Sequence, residues 1–302
     1  MLGTIDSVID AWGVRLQVPG SASILKQAWR RVADHKAEDL AIAGAGLTVT
    51  TCSGCGSETA SPVRTDAPVV RCLGCGLDRL LPRLTAAAAE QMTRAQYDTQ
   101  FPAEALKGIR LDGSPGYFAF ERDQLPRIFP HLKKGSRCFE VGCWGGDFAV
   151  MIKELGIEST CIDVWPPAVE QARAQGVDVH CMSFNDLDAV RTLKLSSVDL
   201  VVFRDSLQMI QALGEGLTFL KSIASPQCGF YFKCHVSDSA FYTSNAILTR
   251  FSVGVHSMFT SFSIVDVLQK HGFDIVAMGG NSHDQRYVNF DRVLIFARLR
   301  PS

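Results

Sequence analysis

An excess of charge of either sign is the first thing this chain lacks. Lysine and arginine number 30 against 31 aspartates and glutamates, a formal net charge of -1. Without a basic surplus there is no electrostatic reason to expect a nucleic-acid partner. No apolar run reaches the length that spans a bilayer. The opening residues, MLGTIDSVIDAWGVRLQ, carry Asp6 and Asp10 with no basic segment ahead, unlike a secretory leader. The expectation is a cytoplasmic protein with no membrane attachment and no nucleic-acid partner.

Cysteine, by contrast, is plentiful, at ten residues. Four fall in paired spacing and six scatter through apolar, strand-like runs, a usage that suits a reducing compartment rather than a disulfide framework. Length and composition complete the class. With 302 residues, 47% hydrophobic and 20% charged, the chain can bury a sizeable core in one large domain plus a small one.

Glycine is concentrated where it matters most. Ser136 to Phe148 reads SRCFEVGCWGGDF: a short strand-like run ending in Glu140-Val141, then Gly142-Cys143-Trp144-Gly145-Gly146, then an apolar helix-like run from Phe148 to Leu155. Strand, glycine turn and helix is how a parallel α/β domain holds a nucleotide-like ligand at the carboxyl edge of its sheet. Gly142 and Gly145 permit positive φ and close approach of a ligand to the backbone. A dinucleotide fingerprint would read Gly-x-Gly-x-x-Gly. The pattern here is Gly-x-x-Gly-Gly behind an acid, which repels a pyrophosphate and suits a ligand bearing an ammonium and a sulfonium.

In these residues the chain resembles the class I S-adenosylmethionine-dependent methyltransferases, whose first motif is an acid followed by a glycine turn of this kind. The resemblance covers roughly Tyr117 to the C-terminus. It implies a Rossmann-like, seven-stranded, mostly parallel sheet with helices on both faces, and S-adenosyl-L-methionine as cofactor. Glu140, Gly142, Cys143 and Gly145 are its first cofactor-binding candidates.

Two further segments precede that domain. Residues 1–47 read as a helical extension, from Ile5, Val8, Ile9 and Trp12 and then Ile24, Leu25, Ala28, Trp29 and Val32 at helical spacing. Packing is the plain reading of this extension, with a lid or a homodimer contact as the alternative. Residues 48–84 hold Cys52-x2-Cys55 and Cys72-x2-Cys75, sixteen residues apart, the spacing of a four-thiolate zinc ribbon. Each pair is followed by a glycine that permits a left-handed turn. Four thiolates leave no open coordination position, so the Zn2+ is expected to be structural. Residues 85–116 form a linker helix and loop. A four-cysteine segment ahead of this domain is similar to a bacterial methyltransferase subgroup acting on sugars and other small natural products. That likeness implies a small-molecule acceptor, and Tyr97 or Tyr117 closing over the methionine end of the cofactor.

The remaining strands carry the other candidates. Ser159 to Asp163 ends in an acid twenty-three residues after Glu140, placed to accept hydrogen bonds from both ribose hydroxyls. Val164 and Trp165 follow, one of them to lie against the adenine. Pro166-Pro167 opens a helix. After the third strand, Val177 to Cys181, the family holds the adenine amino group. Met182 stands where an acid is common, leaving Ser183, Asn185 or Asp186 for that contact. The fourth strand, Val198 to Phe203, delivers Phe203 and Arg204 to the cofactor. Arg204 is read as meeting the cofactor carboxylate or an anionic substrate, or as paired with Asp205. Relatives often carry Leu-Glu-His just beyond, where this chain has Leu207-Gln208-Met209. Strands at Gly229–His235, Phe273–Val276 and Arg292–Arg298 and a helix from Ile264 to His271 complete the domain.

Methyl transfer to a hydroxyl needs a base for its proton. His235, at a strand end, and His256, ahead of the last helix, are the candidates, with Tyr242 in the excursion that would line the acceptor pocket. The Asn/Asp-Pro-Pro-Tyr/Phe motif of amide-nitrogen methyltransferases is absent after the fourth strand. Two alternatives stand beside this reading: a non-catalytic cofactor-binding module on the same sheet, and a nicotinamide-dependent oxidoreductase.

Overall fold

The computed structural model describes residues 51–62, 69–80, 90, 93–94, 97–98, 118–237, 255, 257–280 and 292–301. The N-terminal extension, Tyr117, Tyr242 and His256 lie outside them.

Two sheets organise the described residues. The smaller is the ribbon: β1 (Ala60–Pro62), β2 (Val69–Cys72) and β3 (Asp78–Leu80). The larger has seven strands: β4 (Arg137–Val141), β5 (Glu158–Asp163), β6 (Asp178–Cys181), β7 (Val198–Arg204), β8 (Ala224–His235), β10 (Phe273–Gly280) and β11 (Arg292–Leu299). Between β8 and β10 in the chain comes β9 (Ser257–Met258), which joins the ribbon as its fourth strand by pairing antiparallel with β3.

In space the large sheet runs β10-β11-β8-β7-β4-β5-β6. Neighbours from β6 to β8 pair in parallel, while β11 runs antiparallel between β8 and β10. The expected seven-stranded, mostly parallel Rossmann-like sheet is present.

Side-chain alternation sends the two faces of this sheet into different layers. Cys138, Leu200, Val202, Tyr231 and Phe296 share one core with helices α1 (Ala119–Ile128) and α2 (Asp147–Glu154). Helix α3 (Pro166–Ala174) packs Val169 and Ala172 against Cys143 and Cys161. A short α4 (Leu187–Arg191) follows β6, capped by the Asp186 side chain, which accepts from the Ala189 amide. On the other face, Phe139, Val201, Phe203, Phe230 and Phe232 share a core with α5 (Leu213–Ile223) and α6 (Ser261–Lys270). Each buried phenylalanine contributes roughly 1.5–3 kcal/mol through area removed from water.

Leu77, Cys52, Cys72 and Cys75 are buried in that same phenylalanine-rich core. The ribbon therefore packs as part of the domain wall.

Candidate functional site

At the carboxyl edge of the parallel strands lies a cavity of about 300 Å³, within the range of small-molecule sites. Its position follows from topology, because the strand order turns back on itself between β4 and β7, where such folds open a crevice. The wall is made by Gly142 and Trp144 after β4, Asp163 and Val164 at the end of β5, and Ser183 and Asn185 after β6. Arg204 at the end of β7, Asp205, Ser206 and Met209 beyond it, Arg292 at the start of β11, and Glu90, Thr93 and Tyr97 from the linker also line it.

The glycine turn is tightly built. Gly142 has φ +77°, and a Cβ there would stand 2.7 Å from Cβ of Ser206, whose hydroxyl donates to the Val141 carbonyl at 2.5 Å. Trp144 also takes a positive φ, of 52°, an uncommon conformation for so large a residue. Its ring packs on Trp165 and Tyr97, with centroids 5.0 and 5.4 Å away. The Trp144 amide donates to Asp163 Oδ2 and the Trp165 amide to Oδ1, each at 2.9 Å. Burial pushes the Asp163 pKa up, against these donors. Helix α2 then starts with Asp147 in its first turn, a charge that disfavours the anion a helix N-terminus otherwise attracts.

Not every candidate faces this cavity. Gly142, Asp163, Val164, Ser183 and Arg204 line it; Glu140, Cys143, Gly145, Trp165, Phe203 and the base candidate His235 do not. Strand alternation is the reason for Glu140. It shares a face with Cys138, under α1 and α2, while Val141 beside it borders the cavity. The Glu140 side chain is fully buried, with Oε1 3.7 Å from Arg204 Nη1. Burial raises its pKa to about 7, Arg204 acting in the opposite direction. Trp165, 1% exposed, lies beneath Trp144 and donates its ring N–H to Asp98 at 2.8 Å. Phe203 sits in the phenylalanine core.

Arg204 is held from three sides. Its guanidinium lies over the rings of Phe118 and Phe148, 4.7 and 4.9 Å from their centroids, with Glu140 behind. Asp205 turns to a different partner, since both its oxygens accept from Arg292 Nε, at 2.9 and 3.0 Å. His235 Nε2 lies 3.6 Å from Asp205 Oδ1. Burial would raise the Asp205 pKa, but Arg292, His235 and Lys233 outweigh it and hold the carboxyl below its usual range. Arg292 and Trp144 were not singled out from the sequence. The signal for Arg292 was an antiparallel seventh strand, whose first residue must lie at the carboxyl edge of its parallel neighbours.

The second site is the ribbon. Sγ atoms of Cys52, Cys55, Cys72 and Cys75 all lie within 4.8 Å of one another. Cys52 and Cys75 are 3.7 Å apart, and Cys55 and Cys72 are 3.6 Å apart. Tetrahedral Zn–S bonds of about 2.3 Å would set sulfurs about 3.8 Å apart, so the donor set fits zinc. Both knuckles close alike: the Gly56 amide donates to the Cys52 carbonyl and the Gly76 amide to the Cys72 carbonyl, at 2.8 and 2.9 Å. The Gly74 amide adds a bond to Cys72 Sγ at 3.3 Å. The hydrogen bond with Cys75 lowers the pKa of the Cys52 thiol.

Residues 117–278 match the family described as Methyltransferase domain. The chain belongs to this methyltransferase family. The matched span begins just before α1 and ends within β10, so the four ribbon cysteines, Tyr97 and Arg292 lie outside it. Among solved structures, a chain from the complex between the Haloferax volcanii Trm112 methyltransferase activator and a methyltransferase is similar at TM-score 0.55. Its identity is 15%, over 70% of this chain and 98% of that one. The Burkholderia thailandensis 1,6-didemethyltoxoflavin-N1-methyltransferase, bound to 1,6-didemethyltoxoflavin and S-adenosylhomocysteine, is similar at TM-score 0.52 and 13% identity. There the match covers 80% of this chain and 99% of that one. The [4+2]-cyclase SpnF is similar at TM-score 0.51 and 16% identity, over 70% and 97% of the two chains. At such identities these likenesses show the fold alone. No curated protein matches. Among the described residues, no helix of this methyltransferase is long and apolar enough to cross a membrane.

Proposed function

We propose that this methyltransferase moves a methyl group from S-adenosyl-L-methionine to a small-molecule acceptor, a hydroxyl of a sugar or natural product, in the cytoplasm. The observation that carries the cofactor reading is Asp163, a buried carboxylate fixed at the cavity edge by two backbone amides. When bound, this cofactor supplies a methyl group already activated by its sulfonium.

The residues of the chain then have distinct tasks. Asp163 accepts from the ribose hydroxyls, and Val164 and Phe184 give the adenine an apolar wall. Ser183 and Asn185 supply polar contacts, with Asn185 braced by its bonds to the Met209 carbonyl and the Gln211 amide. Arg204, backed by Glu140, meets a carboxylate. Glu140 thus acts through Arg204 rather than by touching the ligand. Cys143 and Gly145 shape the turn, Trp165 supports it from below, and Phe203 anchors the strand that delivers Arg204. The enzyme's share of the catalysis is alignment, which can contribute about 7–11 kcal/mol.

A hydroxyl acceptor needs its proton removed, and His235 is the described candidate, beside His256 and Tyr242. His235 stands behind Asp205, which lines the cavity, with Nε2 3.6 Å from Asp205 Oδ1. The ribbon holds structural zinc through Cys52, Cys55, Cys72 and Cys75. The test is incubation of the full chain with S-adenosyl-L-methionine and a panel of hydroxylated sugars and natural products. The expected result is S-adenosylhomocysteine formed only when an acceptor is present. Tight binding of S-adenosylhomocysteine with no turnover of any acceptor would favour the non-catalytic module instead.

A further inference from the structure

A continuous route of backbone pairing and packing runs from the four thiolates to the cavity. Knuckle two leads directly into β3, with the Cys72 amide donating to the Leu77 carbonyl at 2.9 Å. Strand β3 pairs with β9, Asp78 opposite Met258 and Arg79 opposite Ser257. Asp78 is itself fixed by Arg71, which donates to both its oxygens at 2.7 and 2.8 Å. Beyond β9, the Phe259 carbonyl accepts from the Ser237 amide at 2.7 Å, tying it to the end of β8. Strand β9 also lies against the short 3-10 turn Leu207–Met209.

Met209 is where this route meets the cavity. It lines the cavity wall, its carbonyl accepts from Asn185 Nδ2 at 3.1 Å, and its sulfur lies 4.0 Å from the Tyr97 hydroxyl. Knuckle one is tied in separately: the Gly54 carbonyl lies 2.7 Å from His271 Nε2, and the Ser53 carbonyl accepts from the Gly214 amide at 2.9 Å. The ribbon thus bears on the site through paired backbone as far as β9 and through packing of β9 on Leu207–Met209.

We infer that metal occupancy of the ribbon sets the affinity of the cavity for its ligand, by fixing β3, then β9, then the wall at Met209. This rests on the proposed methyltransferase reading only for the ligand used as probe. Coupling of this kind is reciprocal: if zinc tightens ligand binding by some factor, the ligand tightens zinc by the same factor.

The experiment compares the full chain as zinc-loaded, chelator-stripped and zinc-restored protein. It reads hydrogen exchange by segment, S-adenosylhomocysteine affinity by calorimetry, and the rate of zinc loss to a chelator. Stripping is expected to lower protection at residues 257–259 and 207–209 while β4 and β7 stay protected. Affinity should fall about tenfold or more, within the usual range of such coupling, and zinc should restore both. Saturating S-adenosylhomocysteine should slow zinc loss. Met258→Ala should keep one zinc yet weaken the ligand several-fold. Unchanged protection at those segments after stripping would overturn the proposal. So would loss of protection throughout the large sheet, which would make zinc a general stabiliser. Unaltered affinity in Met258→Ala would overturn the route through β9. Should the zinc-loaded chain bind no S-adenosylhomocysteine, the methyltransferase reading fails, and the exchange pattern alone decides the inference.

Discussion

The backbone amide of Trp144 donates to Asp163 Oδ2 at 2.9 Å, joining the glycine turn after β4 to the acid that ends β5. This bond makes the two halves of the ligand site one unit. Asp163→Ala is therefore expected to weaken S-adenosylhomocysteine by about a hundredfold or more, since hydrogen bonds to charged groups are worth roughly 1.5–3 kcal/mol each. The fold should persist, checked by circular dichroism beside the titration. Asp163→Asn, which keeps an acceptor oxygen for one amide, should fold better than the alanine variant and still bind poorly.

Gly142→Ala tests the turn itself. The added methyl meets the Ser206 side chain at 2.7 Å and is forced into positive φ, costs that together come to roughly 1–3 kcal/mol. A lower melting temperature with weakened ligand binding is expected; unchanged values for both would show that the turn has room.

Most of this was legible because strand, turn and helix leave local signatures. Asp163 and Gly142 stand at strand ends that their spacing picks out, and both line the cavity; the proline pair at Pro166-Pro167 marks a helix start that the structure has at Pro166. Other features depended on direction and distance. Glu140 reads as the partner of Asp163, yet alternation along β4 turns it under α1 and α2 against Arg204. Helix α5 escaped notice because Gly214 and Gly216 lower its propensity, while Leu213, Leu217 and Leu220 supply the buried face that forms it. The pairing of β3 with β9 joins residues about 180 positions apart, a contact for which neither segment carries a local signature.

Glu140 should also show itself in the pH dependence of stability. Its pKa is raised from 4.5 in the unfolded chain to about 7 in the fold. The folded state therefore binds the extra proton between those values. The stability it contributes is complete below about pH 4.5 and is lost as pH rises through 7, amounting to about 3 kcal/mol at most. Glu140→Gln should flatten that part of the stability profile relative to wild type, measured by denaturant titration between pH 5 and pH 8. Parallel profiles would mean that Arg204 keeps Glu140 ionised throughout.

For the ribbon, Cys72→Ser is expected to release one zinc per chain and to lower stability. Elemental analysis of the intact protein should give one zinc per chain, and finding none would refute the metal assignment. Cysteines outside the cluster, such as Cys228, should leave zinc content unchanged when replaced by serine.

Which nucleoside the cavity accepts is answered by calorimetric titration of the full chain with S-adenosylhomocysteine and, separately, with NAD. Saturable one-to-one binding of S-adenosylhomocysteine with no heat from NAD is the predicted result. Binding of NAD in its place would contradict the assignment of Asp163 and the glycine turn to a sulfonium cofactor.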